Sequence, residues 1–338
     1  MLELGTRCGK TPEIRWHVAS NQHSTVGMPT TRPARKLNCM IPTPGELDTL
    51  REAGKIASNA RNWAAETIKP GYLLRDLQQG METMVREAGA LPPFPAQTSR
   101  NKVAAHYCSS PSDNTKFEEN DLVKIDVGAH IDGLIVDTGV SVDLSHDQRW
   151  SGMIGAASDA LDAAIAMCAP DVDVEDIGER VHEVIATAGF KPVLNLTGHG
   201  LGRFTLHDSP QIPNSRIGLK GSLEAGSIFA IEPFATSGKG YIKDDGKPEV
   251  FMLERPPRPS NKIDSEALEA IESWRGLPIA RRYFNDLPKK PFERTLKELV
   301  KQGVLREYPP LIEVAGHHVG WKEHSIWLGP NGAEVITA

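Results

Sequence analysis

Asp126 and Asp137 stand in two strand-like segments, Leu122 to Ala129 and Gly133 to Leu144, joined through His130, Ile131 and Asp132. Both segments are rich in aliphatic and β-branched residues, and together they read as a β-hairpin. A two-residue loop centred on Ile131 and Asp132 sets the two carboxylates directly opposite each other on one face; a bulge shifts this by one residue. Val123, Ile125 and Val127 surround the first acid, and Ile135 and Val136 precede the second, so both belong to a largely buried strand pair. Burial and mutual repulsion oppose ionisation there, and a cation would relieve both. For either acid alone, a hydrogen-bonded turn or edge position is the simpler reading. For the pair, metal binding stands beside it.

Three later residues extend the set. His199 lies in Gly198-His199-Gly200-Leu201-Gly202, where glycines permit close backbone approach and an imidazole can serve as a nitrogen ligand. Glu232 follows the apolar run Ile228 to Ile231, and Glu323 precedes His324 at the start of a final strand over Lys322 to Leu328. One imidazole with four carboxylates is an oxygen-rich donor set suited to Mn, Fe, Co or Zn rather than to a structural zinc site. Four carboxylates exceed the need of one divalent ion, which points to two ions sharing a carboxylate and a hydroxide.

The elements that must position these residues are legible in outline. Thr43 caps a helix with Pro44 in its first turn and Glu46 as capping-box partner, and the helix stops at Lys69-Pro70-Gly71. Pro70, Asp76, Leu77, Met81, Met84, Val85, Ala88 and Gly89 recur one hundred residues later as Pro170, Asp176, Ile177, Val181, Val184, Ile185, Ala188 and Gly189. This echo predicts two related α/β halves with a cleft between them. After Glu254 a linker rich in Arg and Pro leads to helices expected over Ser265 to Trp274, Leu277 to Asp286 and Phe292 to Lys301. That segment is basic, through Arg275, Arg281, Arg282, Lys289, Lys290, Arg294, Lys297, Lys301 and Arg306. It reads either as a solvated helical surface or as a contact for ribosomal RNA.

The bulk properties are those of an ordinary globular protein. The 338 residues can bury a full core, and the net charge of −6 names neither DNA nor a membrane as the main partner. Cys8, Cys39, Cys108 and Cys168 form no CxxC pair, so a reducing compartment is the simpler reading. No apolar run approaches a membrane span and no secretory signal opens the chain; a soluble, cytoplasmic protein is expected. Residues 1 to 40 lack periodicity and read as an irregular extension.

The order and context of the five candidate ligands resemble the type II methionine aminopeptidases, archaeal in their compactness, of the pita-bread metallopeptidase family. The resemblance spans residues 41 to 338 and rests on Ala104-Ala105-His106-Tyr107, Lys124-Ile125-Asp126 through Asp137-Thr138, Thr197 to His207, Ala230 to Phe234, and Glu323-His324-Ser325. It implies an α/β (α+β) pita-bread fold: two pseudo-symmetric halves around a central antiparallel sheet, with a helical type II insertion at about 255 to 312. It implies an enzyme with two divalent ions, Co, Mn, Fe or Zn, acting on nascent polypeptide N-termini; a transient ribosome contact is the expectation from the basic segment, and a monomer is the default. Asp126 would chelate one ion, Asp137 and Glu323 would bridge the two, and His199 and Glu232 would complete the other site. His106 resembles the histidine near the scissile bond and His207 the one that hydrogen-bonds the substrate carbonyl, with Glu232 as proton shuttle. Phe94 and Tyr308 match positions that shape the methionine pocket. Two positions depart from the pattern: Trp321-Lys322 replaces the usual Gln-Phe, and Lys243 stands where eukaryotic members carry a histidine. A Xaa-Pro peptidase of the same fold, or a noncatalytic pita-bread protein binding ribosomes or RNA, are the other readings.

Overall fold

The capping box forms as the sequence requires: Glu46 accepts the Thr43 N–H at 2.8 Å while the Thr43 hydroxyl accepts from the Glu46 N–H at 3.4 Å. It opens α1 (Pro44–Thr67) in a computed structural model that describes residues 39–338. The expected extension over residues 1 to 40 lies, except for its last two residues, outside the described part. Helix α2 (Leu74–Glu87), β1 (Gln97–Arg100), β2 (Val103–Ala105), β3 (Leu122–Ile131) and β4 (Leu134–Asp143) complete the first half. The second half contains α3 (Ser151–Met167), α4 (Val174–Thr187), β5 (Lys191–Pro192), β6 (Thr197–Gly202), β7 (Thr205–Pro213), β8 (Ile228–Ile231) and β9 (Phe234–Thr236).

The hundred-residue echo is structural. Helices α2 and α4 occupy positions one hundred apart at both ends. The turns before them hold Gly71 and Asp171 at φ 87° and 66°, and the helices close on Gly89 and Gly189 at φ 88° and 86°. Each helix pair covers its own core. Leu50, Ala57, Leu77 and Met81 pack on Ile125 and Val127, whereas Ala157, Leu161, Ile177 and Val181 pack on Phe229 and Ile326.

Between the second half and the C-terminus run β10 (Ile242–Asp244), β11 (Val250–Leu253), α5 (Ser265–Glu272), β12 (Ile279–Ala280), a 3-10 turn at Arg281–Phe284, α6 (Lys289–Lys301), β13 (Leu305–Tyr308) and β14 (Leu311–Glu313). The chain then returns through β15 (Val319–Gly329) and β16 (Gly332–Val335). The main sheet is ordered β1-β3-β4-β15-β8-β6-β7, with antiparallel pairing throughout, and β15 occupies its centre. Two three-stranded sheets, β10-β14-β2 and β12-β11-β13, flank it. No helix among the described residues is long and apolar enough to cross a membrane.

Two expectations need correction. Leu277 to Asp286 is not a helix. Pro278 disfavours helical backbone at Leu277, and Ile279 and Ala280 pair instead with Phe251 and Val250. The hairpin also differs in register. Its tight turn is Asp132-Gly133, at φ 50° and 81°, because Asp and Gly tolerate the left-handed backbone of such a turn and β-branched Ile131 does not. Asp126 therefore faces Gly139, and Asp137 faces Gly128. The two acids are diagonal neighbours on one face rather than directly opposed.

A buried ion pair fastens the 3-10 turn to the first half. Arg282 contacts Glu82 of α2 and the Cys108 thiol, and Tyr283 donates to the same Glu82 oxygen at 2.7 Å. Glu82 also accepts the Ala96 N–H at 3.0 Å. Removing the arginine leaves a buried charge without its partner, so Arg282→Ala is expected to cost about 3–5 kcal/mol of unfolding free energy, read from urea midpoints.

Candidate metal centre

Pairing register assembles the five candidate ligands on one face of the main sheet. Asp126 pairs with Gly139 and Gly139 with Glu323. The ladder that joins Trp321 to Phe234 and His324 to Ile231 puts Glu232 opposite Glu323. One row across the sheet thus reads Asp126, Gly139, Glu323, Glu232. The adjacent row, two residues along each strand and so on the same face, holds Gly128, Asp137, Ser325, Ala230 and His199. The Ser325 hydroxyl brackets Asp137, accepting its N–H at 2.7 Å and donating to its carbonyl at 2.8 Å. Gly139 and Gly128 at the intervening crossings admit the Trp321 and Phe94 rings, which wall the cluster, while Ser325 and Ala230 stay small beneath it.

His199 reaches this face through its glycines. A Cβ on Gly198 would lie 2.3 Å from the Ala230 carbonyl oxygen, and one on Gly200 would lie 2.0 Å from that of Ser209. The strand also shifts register on either side of Gly200, as close approach with an irregular backbone demands.

Asp137, His199 and Glu323 each offer a ligand atom within 4.8 Å of the others, and all three are buried. Asp126 and Glu232 adjoin them closely enough for charge to be felt between Asp126, Asp137 and Glu232. Burial first, then neighbouring carboxylates, pushes Asp126, Glu232 and Glu323 well above the ordinary acid range. The Trp321 indole beside Glu232 opposes that rise. Burial drives Asp137 up to about 7 and His199 down to about 4. Lys124, on the same face as Asp126, turns its ammonium away to the Asn101 carbonyl at 2.9 Å.

One oxygen each of Asp126, Asp137 and Glu323 is buried with no hydrogen-bond partner. Orphaned acceptors in a like-charged cluster beside a neutral imidazole are the donor set of a cation site. These residues fit divalent metal.

The sign of the pH dependence follows. Carboxyl groups with raised folded-state values bind more protons folded than unfolded, and their contribution to stability is lost as pH rises. His106, His130, His199 and His324, each lowered by burial to about 4, act in the opposite sense up to about 6.5, so the metal-free protein shows the net loss above that pH. The chelated protein is expected to show that decline in melting temperature between about pH 6.5 and about pH 8, on the order of 5 °C. Saturating divalent metal, binding the ionised cluster, is expected to abolish it.

The other predicted site residues surround the cluster. His207, on β7, stacks edge-on to His199 with centroids 4.4 Å apart; it is open to solvent yet enclosed on its flanks. Burial first, then the neighbouring His199, His106 and Arg306 charges, holds it well below the ordinary histidine value and therefore neutral. His106 takes a left-handed backbone, φ 67°, fixed by its N–H donating to Gln97 at 2.6 Å. Its ring meets Tyr308 edge-on at 5.5 Å. Phe94 is buried against Gly128, where a Cβ would come within 2.7 Å of its ring. Lys243 is exposed on β10. Gln97 and Gly139 carry no role in the sequence reading, and Ser325 enters it only as the neighbour of Glu323-His324. A glycine inside a strand such as Gly139 signals close approach, whereas nothing local marks Gln97 or Ser325.

A curled antiparallel sheet flanked by paired helices, with acids and an imidazole on one face, is the pita-bread arrangement of a metallopeptidase. The chain belongs to metallopeptidase family M24, whose model matches residues 48–277. It is 40% identical over 291 residues to a methionine aminopeptidase of Archaeoglobus fulgidus, covering 86% of this chain and 98% of that one. In fold it is similar to a crystal structure of methionine aminopeptidase from Thermotoga maritima, with a TM-score of 0.65 at 23% identity, covering 88% of this chain and 99% of the other. It is also similar to a thermophilic Arx1, with a TM-score of 0.77 at 14% identity over 87% of this chain and 91% of the other.

Proposed function

We propose that this chain removes the N-terminal methionine from nascent proteins whose next residue is small. The observation that carries the reading is the convergence of Asp137, His199 and Glu323 within 4.8 Å, with Asp126 and Glu232 beside them, in a chain related to methionine aminopeptidases along most of its length. Asp126 would hold one divalent ion, Asp137 and Glu323 would be shared, and His199 and Glu232 would complete the second, with Co, Mn, Fe or Zn all suited to the donors. When bound, the ions would supply a nucleophilic water near neutral pH and polarise the scissile carbonyl.

The remaining work falls to the chain. Neutral His207 donates an N–H toward the oxygen that gains charge. Glu232 carries a proton to the departing amine. His106 stands near the scissile bond, and Phe94 and Tyr308 receive the methionine side chain. Release of methionine from Met-Ala-Ser by chelated protein reloaded with Mn, Co, Fe or Zn tests this reading. Cleavage confined to Xaa-Pro peptides would replace it with the prolyl specificity, and protein that takes up no metal and cleaves nothing would favour a binding module.

We place the enzyme in the cytoplasm as a monomer, with the segment from 255 to 312 as an insertion that touches the ribosome transiently. Six basic residues, Lys262, Lys289, Lys290, Arg294, Lys297 and Lys301, line an open groove of about 660 Å³ together with two acids, Glu293 and Glu298. Helix α6 begins with Lys289 and Lys290, has no acid in its first turn and has no side-chain cap. Cations at the positive end of a helix are unfavourable for the helix itself, which supports a role in meeting anions. Lys289→Glu with Lys290→Glu is expected to weaken binding to isolated ribosomes and to lower its salt dependence by about one to two phosphate contacts in co-sedimentation, with Met-Ala-Ser turnover unchanged.

A further inference from the structure

Trp321 lies one row along the sheet from the carboxylates, between Phe234 and Ser141. Its backbone is clamped on both sides by one hydroxyl: Ser141 accepts the Trp321 N–H at 2.9 Å and donates to its carbonyl at 2.6 Å. The indole stacks on Phe234, with centroids 5.7 Å apart, and leans over Gly139, where a Cβ would lie 1.8 Å from the ring. The ring therefore occupies the gap that Gly139 leaves between Asp126 and Glu323. It is 3% exposed, and its Nε1 is buried with no hydrogen-bond partner. An orphaned buried donor costs about 1–3 kcal/mol, and the carboxyl-bearing residue diagonal to Trp321 on the same face of the β15 ladder is Glu232.

We propose that Trp321 is a positioning residue for the metal centre, its indole walling the Gly139 gap and its N–H holding one Glu232 oxygen so that the other faces the cations. This rests on the metal-centre reading above. Donors in this position orient a ligating carboxylate without touching the metal, and their loss typically costs about 10–100-fold in metal affinity.

Calorimetric titration of chelated full-length protein with Mn²⁺ tests the proposal. Trp321→Phe keeps a ring over Gly139 and removes the donor. It is expected to bind at the site that includes Glu232 about 10–100-fold more weakly than wild type, and Trp321→Gln is expected to recover part of that loss. A second measurement needs no variant to bind metal. In wild-type protein labelled with ¹⁵N at the indole nitrogens, addition of Zn²⁺ is expected to move one indole N–H downfield and slow its exchange, the resonance missing from Trp321→Phe. Wild-type affinity at both sites in Trp321→Phe, or no indole N–H that responds to Zn²⁺, overturns the proposal while leaving the metal centre standing. Wild-type protein that takes up no divalent cation overturns both.

Discussion

Replacing Glu323 by Gln is expected to lower Met-Ala-Ser turnover by at least about 10³-fold and, at the same time, to stabilise the metal-free protein. Both halves follow from one fact. Glu323 is 2% exposed and shares a pocket with Asp137 and His199, with Glu232 and Asp126 repelling it as well. As the proposed shared ligand of two ions it would support several kcal/mol of transition-state stabilisation, and each 1.36 kcal/mol is about tenfold in rate. Without ions the same charge is a liability, which the neutral isostere removes. Melting curves in chelator should rise for the variant, and curves in saturating Mn²⁺ should fall relative to wild type. A variant less stable than wild type in both conditions would mark Glu323 as a packing residue rather than a ligand.

The second large effect belongs to His207. Its ring lies against His199 but outside the trio of closest ligand atoms, and its neutral state leaves an N–H free to donate. His207→Ala is expected to reduce kcat by about 10²–10³ with little change in KM, the cost of losing one donor to a developing oxyanion. Metal affinity measured by calorimetry should stay at the wild-type value. His207→Gln, which returns an N–H to the region, should recover part of the rate. Loss of metal binding in His207→Ala would make it a support for His199 and remove the oxyanion role.

What could be read from the sequence and what could not divides along physical lines. Helix ends were legible because their signals are local: Thr43 with Glu46, Gly89 and Gly189 needed nothing distant to act. Four of the five candidate ligands stood out because buried acids in apolar strands are costly without a partner, and His199 because of the glycines on either side of it. Register was not. The choice between Ile131-Asp132 and Asp132-Gly133 as the turn hangs on which residues accept left-handed backbone, and the Asp-Gly pair decided it. The false helix over Leu277 to Asp286 had a helical pattern that lost to pairing with β11, a contact its own residues do not announce. Likewise Gly139 shows its purpose once Trp321, nearly two hundred residues later, is laid across it.

The most direct test of the account is anomalous X-ray scattering from crystals of the Mn²⁺-loaded protein. The prediction is two peaks about 3.5–4 Å apart, both contacted by Asp137 and Glu323, one also by Asp126 and the other by His199 and Glu232. A single peak, or peaks bound away from this face of the sheet, would contradict the claim that these five side chains share a pair of cations.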